Sequence, residues 1–162
     1  NFCARWAERE RAAGRLPAGW ECRLPTEAQW EYGCRAGTTT ATAFGNSLSS
    51  TQANFDGSYP YNGGAVGPNP GRTVPVGSYA PNGWGLYDMP GNVAEFCADW
   101  YGPYPTTAVQ DPQGPAKGGA RVRRGGSWGN LGDGCRSAER NWSHPGYGYY
   151  FLGLRLVLVR AP

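Results

Sequence analysis

The sequence predicts an α+β domain rich in irregular chain, with one or two helices and few short strands. Three observations carry that expectation. Charged residues make up only 17% of the 162 residues, low for a helical protein, while Gly (26) and Pro (14) are abundant. Trp (7), Tyr (10) and Phe (5) argue against disorder, because rings supply burial that aliphatic residues here do not. Helical and strand-like segments both occur, with no internal repeat.

Taken in order, residues 2–13 carry Phe2, Trp6 and Ala7 at helical spacing and stop at Gly14. The run Leu24-Pro25-Thr26-Glu27-Ala28-Gln29-Trp30 is sharper: Thr26 can cap a helix and Gln29 can complete a capping box. That helix is expected over Glu27–Arg35, ending at Gly37. Residues 38–81 read as loops, with Thr73–Gly77 an edge strand because Pro75 cannot donate inside a sheet. Arg121–Arg124 and Leu154–Val159 read as strands, the second apolar throughout and therefore central. Trp30, Trp84, Trp100 and Trp128 are expected in the core. The length suits one domain, 1–162. A start inside a helix, without Met, suggests a piece of a longer chain.

Composition excludes several functions. The net charge of +3 and the single basic cluster, Arg121, Arg123 and Arg124, do not imply a nucleic-acid partner. Arginines beside a strand reach solvent or pair with carboxylates more often than they grip phosphate. No apolar run approaches the roughly 18 residues of a membrane-spanning helix. The cysteines, Cys3, Cys22, Cys34, Cys97 and Cys135, form no Cys-x-x-Cys pair, and with only His144 available zinc has no ligand set.

The segment Arg121–Leu156 is the most informative. A Gly125-Gly126-Ser127-Trp128 start and an apolar end bracket a stretch of Gly, Asn, Ser, Tyr and Trp with almost no aliphatic residue. Such a stretch cannot fill a core, so it reads as a recognition surface held between buried anchors. If residues 149–151 are extended, Tyr149, Tyr150 and Phe151 cannot all point inward.

Six ordered motifs then carry a resemblance. They are Arg23–Tyr32, Pro75–Tyr79, Pro81–Met89, Gly91-Asn92-Val93-x-Glu95, Arg124–Trp128 and Gly153-Leu154-Arg155. Together they resemble the formylglycine-generating enzyme, or sulfatase-modifying factor, family. The resemblance implies a C-type-lectin-like fold, coil-rich, whose N-terminal part would be missing from this chain. Oxidising members bind copper through two cysteines in the loop after Gly-Gly-Ser-aromatic, soft thiolates being the ligands that hold Cu(I). Here that loop is Gly129-Asn130-Leu131-Gly132-Asp133-Gly134, without cysteine, so copper is not expected. An iron-dependent branch takes histidine ligands from an added domain, and this chain offers only His144.

The family pattern implies further features. Cys34 would bridge to Cys135, whereas Leu156 stands where the enzymes carry the Cys that bridges to the position of Cys3. That bridge would mean an extracytoplasmic or cell-surface setting; without it the setting would be cytoplasmic. Asp88, Gly91, Val93 and Glu95 would hold a structural Ca²⁺ in an oxygen cage, the alternative being that the two carboxylates only bind loop amides. Members without the cysteines, including the variable targets of diversity-generating retroelements, bind ligands through the segment that matches residues 129–151 here. The resemblance thus implies a non-catalytic domain recognising a protein or other surface ligand. Its binding residues would be Trp128, Asn130, Asp133, Glu139, Trp142, His144, Tyr147, Tyr149 and Tyr150, stiff rings mixed with adaptable polar groups. An oxidase of the formylglycine-generating type and a structural accessory domain are the alternatives.

Overall fold

A computed structural model describes residues 2–161. Two helices, α1 (Phe2–Ala12) and α2 (Glu27–Arg35), accompany six short strands. These are β1 (Trp20–Arg23), β2 (Ala94–Trp100), β3 (Arg121–Arg124), β4 (Arg140–Ser143), β5 (Leu152–Leu154) and β6 (Val157–Arg160). One sheet has the order β4-β3-β2-β5, antiparallel except for the β2–β5 pair. The other pairs β1 with β6 antiparallel. No helix among the described residues is long and apolar enough to cross a membrane.

Helix α2 starts as expected. Thr26 Oγ1 accepts from Gln29 N at 3.2 Å and Gln29 Oε1 accepts from Thr26 N at 3.0 Å. Asp99 Oδ2 takes a further first-turn donor, Glu27 N, at 2.7 Å, which ties the helix to β2. The far end falls at Arg35, as expected. Ala36, not a glycine, closes the helix in the left-handed region at φ 48°, and Gly37 follows at φ 87°.

Two apolar clusters form the core. Trp30, Cys34, Met89, Cys97 and Val122 pack between α2 and the large sheet, with Leu86 against them. Leu48, Ala53, Phe55 and Cys135 form a second cluster under the coil. Between Arg35 and Ala94 there is no strand, and asparagine side chains do the work of a ladder. Asn92 Oδ1 accepts from Asn54 Nδ2 at 3.1 Å and from Val74 N at 3.0 Å, while Asn92 Nδ2 donates to Val74 O at 3.2 Å. Asn82 donates to Gly33 O at 2.7 Å and accepts from Trp84 N and Leu86 N.

This bonding explains two departures from the sequence reading. Thr73–Gly77 is not a strand, because the amide side chain of Asn92 takes both backbone groups of Val74 and Pro75 has no N–H. Residues 154–159 are not one central strand. The chain breaks at Arg155, leaves β2, and pairs again only with β1, so alternate residues of β6 stay exposed. Trp30 is buried and Trp100 half-buried, but Trp84 is 47% exposed and lies edge-on against Tyr32.

Candidate functional site

Beneath the segment 128–151 lies a buried framework of charge. Strand β3 alternates: Val122 and Arg124 face inward, while Arg121 and Arg123 are half-exposed. Arg124 is only 1% exposed. It donates to Glu31 Oε2, Glu139 O and, at 3.0 Å, Ser137 O; its Nε lies 3.4 Å from Glu27 Oε1. Arg140 on β4 clamps Glu27 with bonds of 2.8 and 2.6 Å. Arg155 clamps Glu95 with two bonds of 2.8 Å, and Trp30 Nε1 donates to the same carboxylate at 2.7 Å. Burial pushes the Glu95 carboxyl up while Arg155 pulls it back down.

Gly125 and Gly126 swing the chain from this framework to the surface at φ 91° and 70°. A Cβ on Gly125 would lie 2.8 Å from Met89 O, and one on Gly126 2.5 Å from Gly134 O. Only glycine fits either place. Asn130 then folds back: its Oδ1 accepts from Ser127 N and Ser127 Oγ, both at 2.9 Å, and its own O accepts from Asp56 N at 2.8 Å. Gly132–Cys135 forms one 3₁₀ turn.

Six rings form one continuous run across the surface. His144 lies 4.8 Å from Tyr147, Tyr147 lies 6.5 Å from Tyr149, and Tyr149 stacks on Phe151 at 5.2 Å. Phe151 meets Tyr150 edge-on at 5.4 Å, and Tyr150 reaches Trp128 at 5.7 Å. Tyr150 is 79% and Tyr147 62% exposed, whereas Trp128 and Phe151 are half-buried. The run is anchored at Phe151, whose O accepts from Ala94 N at 2.9 Å before the chain enters β5. Of the residues 149–151, Tyr150 is the one facing solvent most fully.

The structure therefore brings together Trp128, His144, Tyr147, Tyr149 and Tyr150, and adds Phe151. It separates others. Trp142, 53% exposed, stands apart beside Tyr101, ring centroids 6.5 Å apart. Asn130 is a loop staple, its Oδ1 aimed at Ser127 rather than at solvent. Glu139 is tied to Arg136 at 2.7 Å, and Asp133 sits exposed at the margin. Sequence reading missed Arg123, although strand alternation with Val122 would have placed it on the outer side. A larger cavity of about 1180 Å³ lies away from the rings, between α2 and the 102–115 loop, over the Glu27–Arg140 pair.

Around the Asp88, Gly91, Val93 and Glu95 positions, both Glu95 oxygens accept from Arg155 and Asp88 Oδ2 accepts from Gly77 N at 2.6 Å. Among the described residues no three of His, Cys, Asp and Glu gather into a metal-binding group. Cys34 and Cys135, which the family pattern would bridge, are free thiols in the structure. They belong to different apolar clusters, and Cys34 Sγ donates to Ser137 Oγ at 3.5 Å. Burial raises the Cys34 thiol to about 11 and the Cys135 thiol to about 12.

Comparison with known proteins agrees with this architecture. The profile of the Sulfatase-modifying factor enzyme 1-like domain matches residues 2–160. The chain is 44% identical over 129 residues to the serine/threonine-protein kinase pkn1 of Chlamydia caviae, covering 76% of this chain and 19% of that protein. It is 43% identical over 113 residues to the formylglycine-generating enzyme of Streptomyces coelicolor, covering 65% of this chain and 36% of the enzyme. Treponema denticola variable protein 1 superposes with a TM-score of 0.72 at 35% identity, over 86% of this chain and 48% of that one. The chain thus spans less than half the length of each of these relatives.

Proposed function

The chain belongs to the sulfatase-modifying factor enzyme 1-like domain family, and from that premise we propose a domain that recognises a ligand and performs no chemistry on it. The observation that carries this reading is the run of six rings from His144 to Trp128. Large rigid side chains offer contact area at little entropic cost, which is why they dominate binding surfaces. Tyr147 and Tyr150 are exposed to solvent yet mounted on a frame fixed by the Arg124 and Arg155 clamps. A purely structural accessory domain gives no reason for such a run.

The oxidase alternative lacks its ligands. The loop 129–134 has no sulfur, and the Cys135 thiol beside it is buried and held protonated at neutral pH, with its value raised to about 12. Cuprous ion binds thiolate, not a buried thiol. The likeness to a protein named a variable protein supports the further reading that residues 129–151 are where ligand choice is written.

The test combines binding and folding. Peptides from a random displayed library, selected on the immobilised domain, are expected to lose most of their affinity for Tyr147→Ala plus Tyr150→Ala, with the melting temperature unchanged. A large loss of stability would place the rings in the core and sink the proposal. So would oxygen uptake by the domain with Cu(I) and a cysteine-containing peptide.

A further inference from the structure

Arginines surround the ring face, and all but one are engaged. Arg124, Arg136, Arg140 and Arg155 each hold a carboxylate. Arg121 donates to Ala98 O and lies flat on Trp100, its Cζ 3.6 Å from the ring centroid. Arg123 differs. Among the described residues it has no carboxylate partner, and its one hydrogen bond runs from Nε to Trp142 O at 3.1 Å. Its Cζ stands 5.0 Å from the Phe151 ring centroid, so the guanidinium is held against the middle of the ring run.

Both terminal nitrogens of Arg123 remain available, as a fork of parallel donors. Arg123 lines a small pocket of about 30 Å³, shared with Arg124, Gly126, Asn130, Gly134, Glu139 and Asn141. That volume admits one compact polar group, a water or two or a carboxylate, and not a ring. Asn141, the cross-strand neighbour of Arg123, has its Oδ1 committed to Trp142 N at 2.8 Å, leaving Nδ2 as a second donor. Glu139, the acidic side chain on the rim, is already neutralised by Arg136. Half-burial disfavours the Arg123 cation, so an incoming anion would relieve a standing cost.

We propose that Arg123, with Asn141, is the charged anchor of the recognition face and takes a carboxylate presented next to an apolar group of the ligand. This deepens the recognition reading and rests on it. A planar guanidinium fork matches a carboxylate with two parallel bonds, and the adjoining Phe151 and Tyr149 receive the apolar neighbour. The carboxylate can come from an Asp or Glu side chain or from a chain terminus; both present the same group.

The experiment uses peptides selected on the wild-type domain from a random displayed library, then made synthetically. Selected peptides are expected to carry an acid beside an apolar residue. Arg123→Gln should bind them on the order of tenfold or more weakly, the scale of a charge-assisted pair. Arg123→Lys should restore only part of that, and added salt should weaken wild-type binding. C-terminal amidation abolishes binding if the terminus is the source, and Asp→Asn or Glu→Gln in the peptide does so if a side chain is. Thermal melting of Arg123→Gln checks that it folds. Peptides without acidic enrichment, bound equally by wild type and Arg123→Gln, would overturn the anchor while leaving ring recognition standing. Failure to select any peptide dependent on Tyr147 and Tyr150 would overturn both.

Discussion

At the scale of single residues, Arg124 decides whether the surface has a rigid base. A charge that is 1% exposed survives only because Glu27, Glu31 and two carbonyl oxygens surround it. Removing it leaves Glu27 held by Arg140 alone and Glu31 by Arg35 alone, and strips the buried Glu139 and Ser137 carbonyls of their donor. Arg124→Ala is therefore expected to lower stability by about 3–5 kcal/mol, measured by denaturant unfolding. A loss below about 1 kcal/mol would mean that water already shares this site. The sequence showed Arg121, Arg123 and Arg124 as one basic cluster. The structure assigns them three roles: a lid on Trp100, an open fork, and a buried pivot. Burial is what separates them, and burial of a polar residue is not written in local sequence.

At the scale of elements, α2 was legible because its signals are local. Thr26 and Gln29 lie within one turn of each other, and the capping box forms as their spacing requires. Its end falls at Arg35 as expected, but the residue that closes it is Ala36, in a left-handed conformation that alanine disfavours. Ala36→Gly is expected to stabilise the protein by about 0.5–1 kcal/mol, seen as a rise in melting temperature of a few degrees. No change, or a fall, would show that Ala36 packs against something that offsets its backbone strain. Strands were harder to read. β1 and β4 have no apolar alternation, since Trp20-Glu21-Cys22-Arg23 and Arg140-Asn141-Trp142-Ser143 bury side chains weakly and are held by partners far along the chain. The asparagine bonds that replace a strand at Thr73–Gly77 are equally non-local.

For the molecule as a whole, the α+β class was readable from composition, and the ring-rich stretch of exposed chain from the motifs at its two ends. Which rings touch was not, because the His144-to-Trp128 order follows the path of a loop rather than any period. Buried sulfur gives the whole fold a pH limit. Cys34 and Cys135 titrate near 11 and 12 in the folded protein, against about 8.5 in an unfolded chain. A raised thiol value means that the folded state holds its protons longer. The stability this represents is intact below about pH 8.5 and is lost progressively as pH rises toward the folded values. The melting temperature is expected to be level from neutral pH to about 8.5 and to fall above it, less steeply in Cys34→Ala plus Cys135→Ala. A wild-type profile as flat as that of the double variant at pH 10 would refute it.

The seating of β5 has its own consequence for how this protein can change over generations. Main-chain bonds and the Arg155–Glu95 pair fasten the strand, while Tyr147 and Tyr150 beside it stay largely exposed. On the proposed recognition reading, codons for Tyr147 and Tyr150 are thereby released from the demand to keep the protein folded. On that reading new specificities would be sampled there without passing through misfolded intermediates, and the domain would lend itself to laboratory evolution for the same reason.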